Sequence, residues 1–96
     1  MEKIKVLIAD DHRVVREGLA AILKTKDDIN VVGEAQDGVE AVEKTKTLMP
    51  DVILMDVSMP RMGGIEATRQ IKREFPHMGI VALTMYEEQQ YIFDLV

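Results

Sequence analysis

Three strand-length apolar runs, Val6-Leu7-Ile8-Ala9, Val52-Ile53-Leu54-Met55 and Ile80-Val81-Ala82-Leu83, constrain this chain more than any other feature of it. None shows polar alternation, so each needs apolar cover on both faces, a condition met in a parallel sheet flanked by helices. All three end on polar side chains: Asp10-Asp11, Asp56 and Thr84. Core strands that terminate in carboxylates gather negative charge, which is costly unless a cation or a reaction requires it.

The segments between the runs complete an alternating pattern. From His12 to Lys26, residues Val15, Gly18, Leu19 and Ile22 share one helical stripe. Asn30 to Gln36 reads as a second strand, and the Glu34 and Gln36 mixed into it mark it as an outer one. Asp37-Gly38-Val39-Glu40 has the spacing of a helix N-cap with a reciprocal acid, predicting a helix to about Met49 that Pro50 stops. A third helix starts near Gly64, carries Ala67, Ile71 and Phe75 at four-residue spacing, and ends at Pro76. The fourth strand spans Gly79 to Thr84, and a last helix begins near Glu87. The class is therefore α/β: a doubly wound parallel sheet of order 2-1-3-4 with right-handed crossovers. In such sheets ligands bind beyond the carboxyl ends of the strands, where strand order reverses.

Composition sets outer limits. Ninety-six residues, 47% of them hydrophobic, build one core, so residues 1–96 read as one domain. The absence of cysteine removes disulfides and thiolate metal sites. A net charge of -5 argues against nucleic-acid contact by this segment, so any DNA binding resides elsewhere. The start Met1-Glu2-Lys3-Ile4-Lys5 has no signal-peptide character and no run is membrane-length, which predicts a cytoplasmic protein without a membrane partner.

The residues at the strand ends suit magnesium and phosphoryl chemistry. Mg2+ prefers hard oxygen ligands and keeps several waters, so a few carboxylates and a backbone carbonyl are a natural protein share. Asp11 and Asp56 are the expected direct ligands, and Thr84 offers a hydroxyl donor to a phosphoryl oxygen. Taken singly, Asp10-Asp11 also suits a helix N-cap, Asp56 a turn cap and Thr84 a backbone-bonded hydroxyl. It is their conjunction on three strand ends that points to a site. His12, in the first helical turn, reads as a surface or capping residue, and His77 as solvated loop. Met49, Met55 and Met59 read as packing, and Lys24, Lys26, Lys44 and Lys46 as solvated faces. A haloacid-dehalogenase-like phosphatase needs a second carboxylate two residues after its nucleophile, where Ser58 stands. A phosphate-binding glycine loop would follow the first strand, where Asp10-Asp11-His12-Arg13 places acid instead.

From Lys5 to Val96 the chain resembles a two-component response regulator receiver domain. The match lies in Asp10-Asp11, in Asp56 after its apolar strand, in Met59-Pro60 with Gly63-Gly64, and in Leu83-Thr84. Ile8-Ala9-Asp10-Asp11-His12, Gly33-Glu34-Ala35, the stretch from Met59 to Ala67 and Leu83-Thr84-Met85-Tyr86 are similar to the NarL/FixJ (LuxR-type) transcriptional regulators. The resemblance implies a flavodoxin-like fold in which Asp56 is a phosphoacceptor rather than part of an enzyme. It also implies that the Ser58 backbone carbonyl is a third Mg2+ ligand, that Asp10 acts behind the metal, and that Thr84 is a switch. The implied partners are a sensor histidine kinase, contacted through Arg13, Val14, Arg16 and Glu17, and DNA, reached only through a C-terminal helix-turn-helix domain. A stand-alone receiver that binds a protein partner when phosphorylated is the alternative. Met85, large for its position, is expected to narrow the path to Asp56.

A complete receiver continues with a fifth strand bearing a lysine and then a fifth helix, whereas this sequence stops at Val96, within the segment matching the fourth helix. The expectations are an incomplete domain, weakened phosphoryl binding and broken coupling from Thr84. An exposed fourth strand would then invite self-association, strand exchange or disorder of residues 87–96.

Overall fold

The structure, a computed structural model, describes residues 2–86 and 89–94, with side chains described through Leu83. Strands β1 (Ile4–Ala9), β2 (Ile29–Ala35), β3 (Val52–Asp56) and β4 (Gly79–Tyr86) alternate with helices α1 (Arg13–Lys24), α2 (Gly38–Leu48) and α3 (Gly64–Glu74). The strands lie in the order β2-β1-β3-β4, and every pair among them is parallel. This is the sheet expected from the apolar runs, with β2 at the outside.

Alternate side chains of β1 serve opposite faces. Leu7 and Ala9 join Ile53, Met55 and Ile80 in a core with Ala41 of α2 and with Ala67 and Ile71 of α3. Val6 and Ile8 face the other way, toward Ala20, Leu19 and Leu23 of α1. Leu7, Ile8, Ile53, Met55 and Ile80 are fully buried, each stabilising the fold by about 1.5–3 kcal/mol relative to exposure. The apolar stripe of α1 is displaced from the expected one. Leu19 holds its place, but Ile22 is 61% exposed and the buried position is Ala20. Arg16 also turns inward and is not a free surface contact: its guanidinium donates to the Asp10 carbonyl at 2.7 Å and to Glu34 at 3.2 Å. Arg13, Val14 and Glu17 do lie exposed.

Helix α2 starts as its sequence requires. The Asp37 carboxylate accepts from the Glu40 amide at 2.8 Å, while Glu40 itself pairs with Lys44 at 2.9 Å rather than reaching back. Lys44 also donates to the Glu34 carbonyl, so it ties α2 to β2 and is not a merely solvated charge. Ahead of Pro50 the helix ends on Met49 in the left-handed region, φ 46°, and this places the methionine 45% exposed rather than packed.

The last segment departs most from expectation. Glu87, where a helix was expected to begin, lies outside the described residues, and Gln89–Asp94 forms a strand, β5, antiparallel to β4. The fourth strand is therefore not an open edge, and the expected self-association through it loses its basis. The physical reason is that a bare strand edge presents unpaired N–H and C=O groups. The Tyr91-Ile92-Phe93 stretch, rich in strand-favouring side chains, satisfies them in register Thr84↔Tyr91 and Ala82↔Phe93.

Candidate acidic site at the carboxyl edge of the sheet

Register brings the acids together. Ala9 of β1 lies opposite Met55 of β3, so one step further the two strands deliver Asp10 and Asp56 side by side. Asp56 is itself opposite Leu83 of β4, the residue before Thr84. Asp11 follows in the bend that enters α1. Donor atoms of Asp10, Asp11, His12 and Asp56 all lie within 4.8 Å of one another. Two tight approaches fix this edge. A Cβ on Gly64 would stand 2.0 Å from the Asp56 carbonyl oxygen, and one on Gly38 would stand 2.2 Å from that of Met62. Only glycine lets α3 start so close beneath the acid and α2 so close to the following loop.

The electrostatics are unbalanced. Asp10 is buried, 6% exposed, and its Oδ1 accepts from the His12 amide at 2.8 Å. Asp56 is half-buried and accepts from the Ser58 amide at 3.3 Å. Burial, then the charge of Asp10, push the Asp56 carboxyl up to about 6, with the Ser58 N–H pulling against them and the Asp11 carboxyl reinforcing them. A carboxylate held so far above its ordinary range by its neighbours is suited to a divalent cation. The donor set, three carboxylates with hard oxygens, is of the kind such a cation takes.

His12 stands, as expected, exposed at the N-cap of α1, and it also borders the acids. Its Nδ1 lies 3.1 Å from Asp10 Oδ1 and 3.0 Å from Asp11 Oδ1, and the hydrogen bond to Asp10 above all raises its pKa. The available signal was its position at the N-cap of α1, directly after the acid pair, which turns the ring back over the strand end. Of the other expected site residues, Ser58 stands two residues beyond Asp56 in the exposed bend, and the backbone of Thr84 lies in β4. The Thr84 hydroxyl and the Met85 side chain lie outside the described side chains. A hollow of about 220 Å³ lies between Val42 and Lys46 of α2 and Gln70, Arg73 and Glu74 of α3.

Residues 6–96 match the model of the response regulator receiver domain. This chain belongs to that family. It is 48% identical over 90 residues to the response regulator protein VraR of Staphylococcus saprophyticus, an alignment covering 94% of this chain and 43% of VraR. Thus the chain spans less than half the length of the curated relatives it matches. The signal receiver domain of the NarL response regulator from Mycobacterium tuberculosis superposes with a TM-score of 0.85 at 34% identity, covering 91% of this chain and 70% of that one. RcsB from Salmonella enterica serovar Typhimurium, solved bound to the rprA promoter in the presence of the phosphomimetic BeF3-, gives a TM-score of 0.80 at 37% identity, covering 88% of this chain and 43% of RcsB. This receiver's relatives are thus NarL/LuxR-type response regulators of two-component systems. Among the described residues no helix is long and apolar enough to cross a membrane.

Proposed function

We propose that this receiver takes a phosphoryl group on Asp56 from the phosphohistidine of a sensor kinase, in a reaction that depends on Mg2+. The observation that carries the reading is the convergence of Asp10, Asp11 and Asp56 from adjacent strand ends, with Asp56 pushed up to about 6 by burial and by Asp10. Asp11 and Asp56 would hold the ion directly with the Ser58 carbonyl, and Asp10 would act behind them. Bound Mg2+ would offset the repulsion between the acceptor carboxylate and the incoming phosphoryl oxygens.

The chain's own groups do the rest. An Asp56 oxygen attacks phosphorus as the phosphorus–nitrogen bond of the donor breaks, and the product is an acyl phosphate. The Ser58 amide, already on Asp56 Oδ1, orients the carboxylate for attack. The Thr84 hydroxyl is assigned as a donor to a phosphoryl oxygen. The kinase supplies the phosphoryl group, so the receiver is an acceptor and a switch, not an enzyme with turnover of its own. By likeness to RcsB with its promoter, the output is transcription regulation through a DNA-binding domain elsewhere in the protein, in the cytoplasm. Titration with beryllofluoride tests the site. Saturable binding is expected with Mg2+ present and is expected to vanish in Asp56→Asn. Binding that survives that change, or that needs no metal, overturns the reading.

A further inference from the structure

The loop from Val57 to Gly63 carries Ser58 away from the acceptor and into α3. Its two ends are fixed by backbone bonds: the Val57 amide donates to the Leu83 carbonyl at 3.1 Å and the Gly64 amide to the Val57 carbonyl at 2.9 Å. The middle is held from α2. The Gly38 amide donates to the Met62 carbonyl at 2.9 Å, and Arg61 grips the Asp37 carboxylate with Nε at 3.0 Å and a terminal nitrogen at 2.9 Å. Asp37 is buried, 4% exposed, and it is also the cap of α2, accepting from Glu40. Arg61 makes this grip from the left-handed region, φ 64°, which a side chain with a Cβ enters only against steric resistance. A buried carboxylate spends one oxygen on its own helix and offers the other to a strained arginine across the loop. Met59 and Met62 of the same loop pack against the core, but Arg61, between them, serves the loop through its charge.

We propose that Arg61 is a positioning residue for the acceptor site. Its ion pair with Asp37 fixes the loop so that Ser58 stands where its amide meets Asp56 and its carbonyl meets the metal. The proposal rests on the reading that the acidic edge takes a divalent cation. It predicts that metal affinity is set partly by a pair that touches neither the metal nor the acids, through the geometry of one loop.

The test is Mg2+ titration of the 15N-labelled chain followed by amide NMR, with thermal midpoints measured in parallel. Arg61→Ala removes the grip and keeps the left-handed strain, whereas Arg61→Gly removes both. Both are expected to weaken Mg2+ binding about tenfold and to lower the midpoint as well, because a buried Asp37 oxygen loses its partner. Asp37→Asn keeps an oxygen for the Glu40 amide but loses the charge. It is expected to weaken Mg2+ to the same extent and to add nothing when combined with Arg61→Ala. Asp11→Asn serves as the control on the metal itself. Mg2+ binding that persists undiminished in Asp11→Asn overturns the metal reading. Wild-type affinity in both Arg61 variants, with Asp11→Asn weakened, overturns the positioning role alone, as does full recovery in Arg61→Gly, which would assign the effect to strain.

Discussion

Aspartates stand at both ends of the β3 segment and are put to opposite uses. Asp51, just before the strand, is woven into the fold. Its carboxylate accepts the Lys5 amide at 2.8 Å, its amide donates to the Lys5 carbonyl at 2.8 Å, and its carbonyl accepts from Gly79 at 3.3 Å, stitching β1, β3 and β4 together. Asp56, at the other end, receives among the described residues one N–H, from Ser58 at 3.3 Å, and otherwise lies beside Asp10, Asp11 and His12. The residue type is the same and the strand is the same. What differs is whether the neighbours supply hydrogen-bond donors or further negative charge. The first arrangement stabilises the sheet, whereas the second gathers charge at the expense of stability, as the proposed acceptor role of Asp56 requires.

The contrast is open to three tests of decreasing size. Gly64→Ala pushes a Cβ to 2.0 Å from the Asp56 carbonyl, so denaturant unfolding is expected to show a loss of about 3 kcal/mol, accompanied by weaker Mg2+ binding. Preserved stability would mean that α3 can move off the strand, and the tight packing inferred beneath Asp56 would be wrong. Next comes the charge on Asp56. Its folded pKa is raised from 3.8 to about 6, so between roughly pH 4 and pH 6 the folded chain keeps a proton that the unfolded chain gives up. That favours folding in acid, and the contribution is lost as pH rises through 6. In metal-free buffer Asp56→Asn is therefore expected to raise Tm by a few degrees (about 3–5 °C) at pH 7.5, with the gap closing by pH 4. A variant less stable than the parent at pH 7.5 would refute the repulsive cluster. The smallest effect belongs to Asp51→Ala, which removes one exposed hydrogen bond. Calorimetry should show a loss of about 0.5 kcal/mol, a shift of about 2–3 °C, and Mg2+ affinity should not change.

Much of this was readable before any coordinates. Runs such as Val52 to Met55 have one stable setting, a strand covered on both sides, and Asp37 and Pro50 fixed the start and stop of α2 by local chemistry alone. Because β-strand direction follows from crossovers, the convergence of Asp10, Asp11 and Asp56 followed as well. The misses share a cause. Ile22 against Ala20 and Arg16 turned inward both depend on how α1 is rotated about its axis, and periodicity alone leaves that angle loose. Arg61 was missed for another reason, since nothing local announces a left-handed residue whose partner is 24 positions away. The strand at Gln89–Asp94 overrode a helical reading because an available sheet edge outweighs weak local preference.

That last pairing also bears on the order in which the chain assembles. Tyr86 faces Gln89, so β4 and β5 meet across a connection a few residues long, whereas Val6 must find Val52 from far along the chain. Hairpins close in about 1–10 μs, long before contacts of high sequence separation are made. The β4–β5 ribbon can therefore organise early, and the parallel strands would then be built onto a ribbon whose outer side is already occupied.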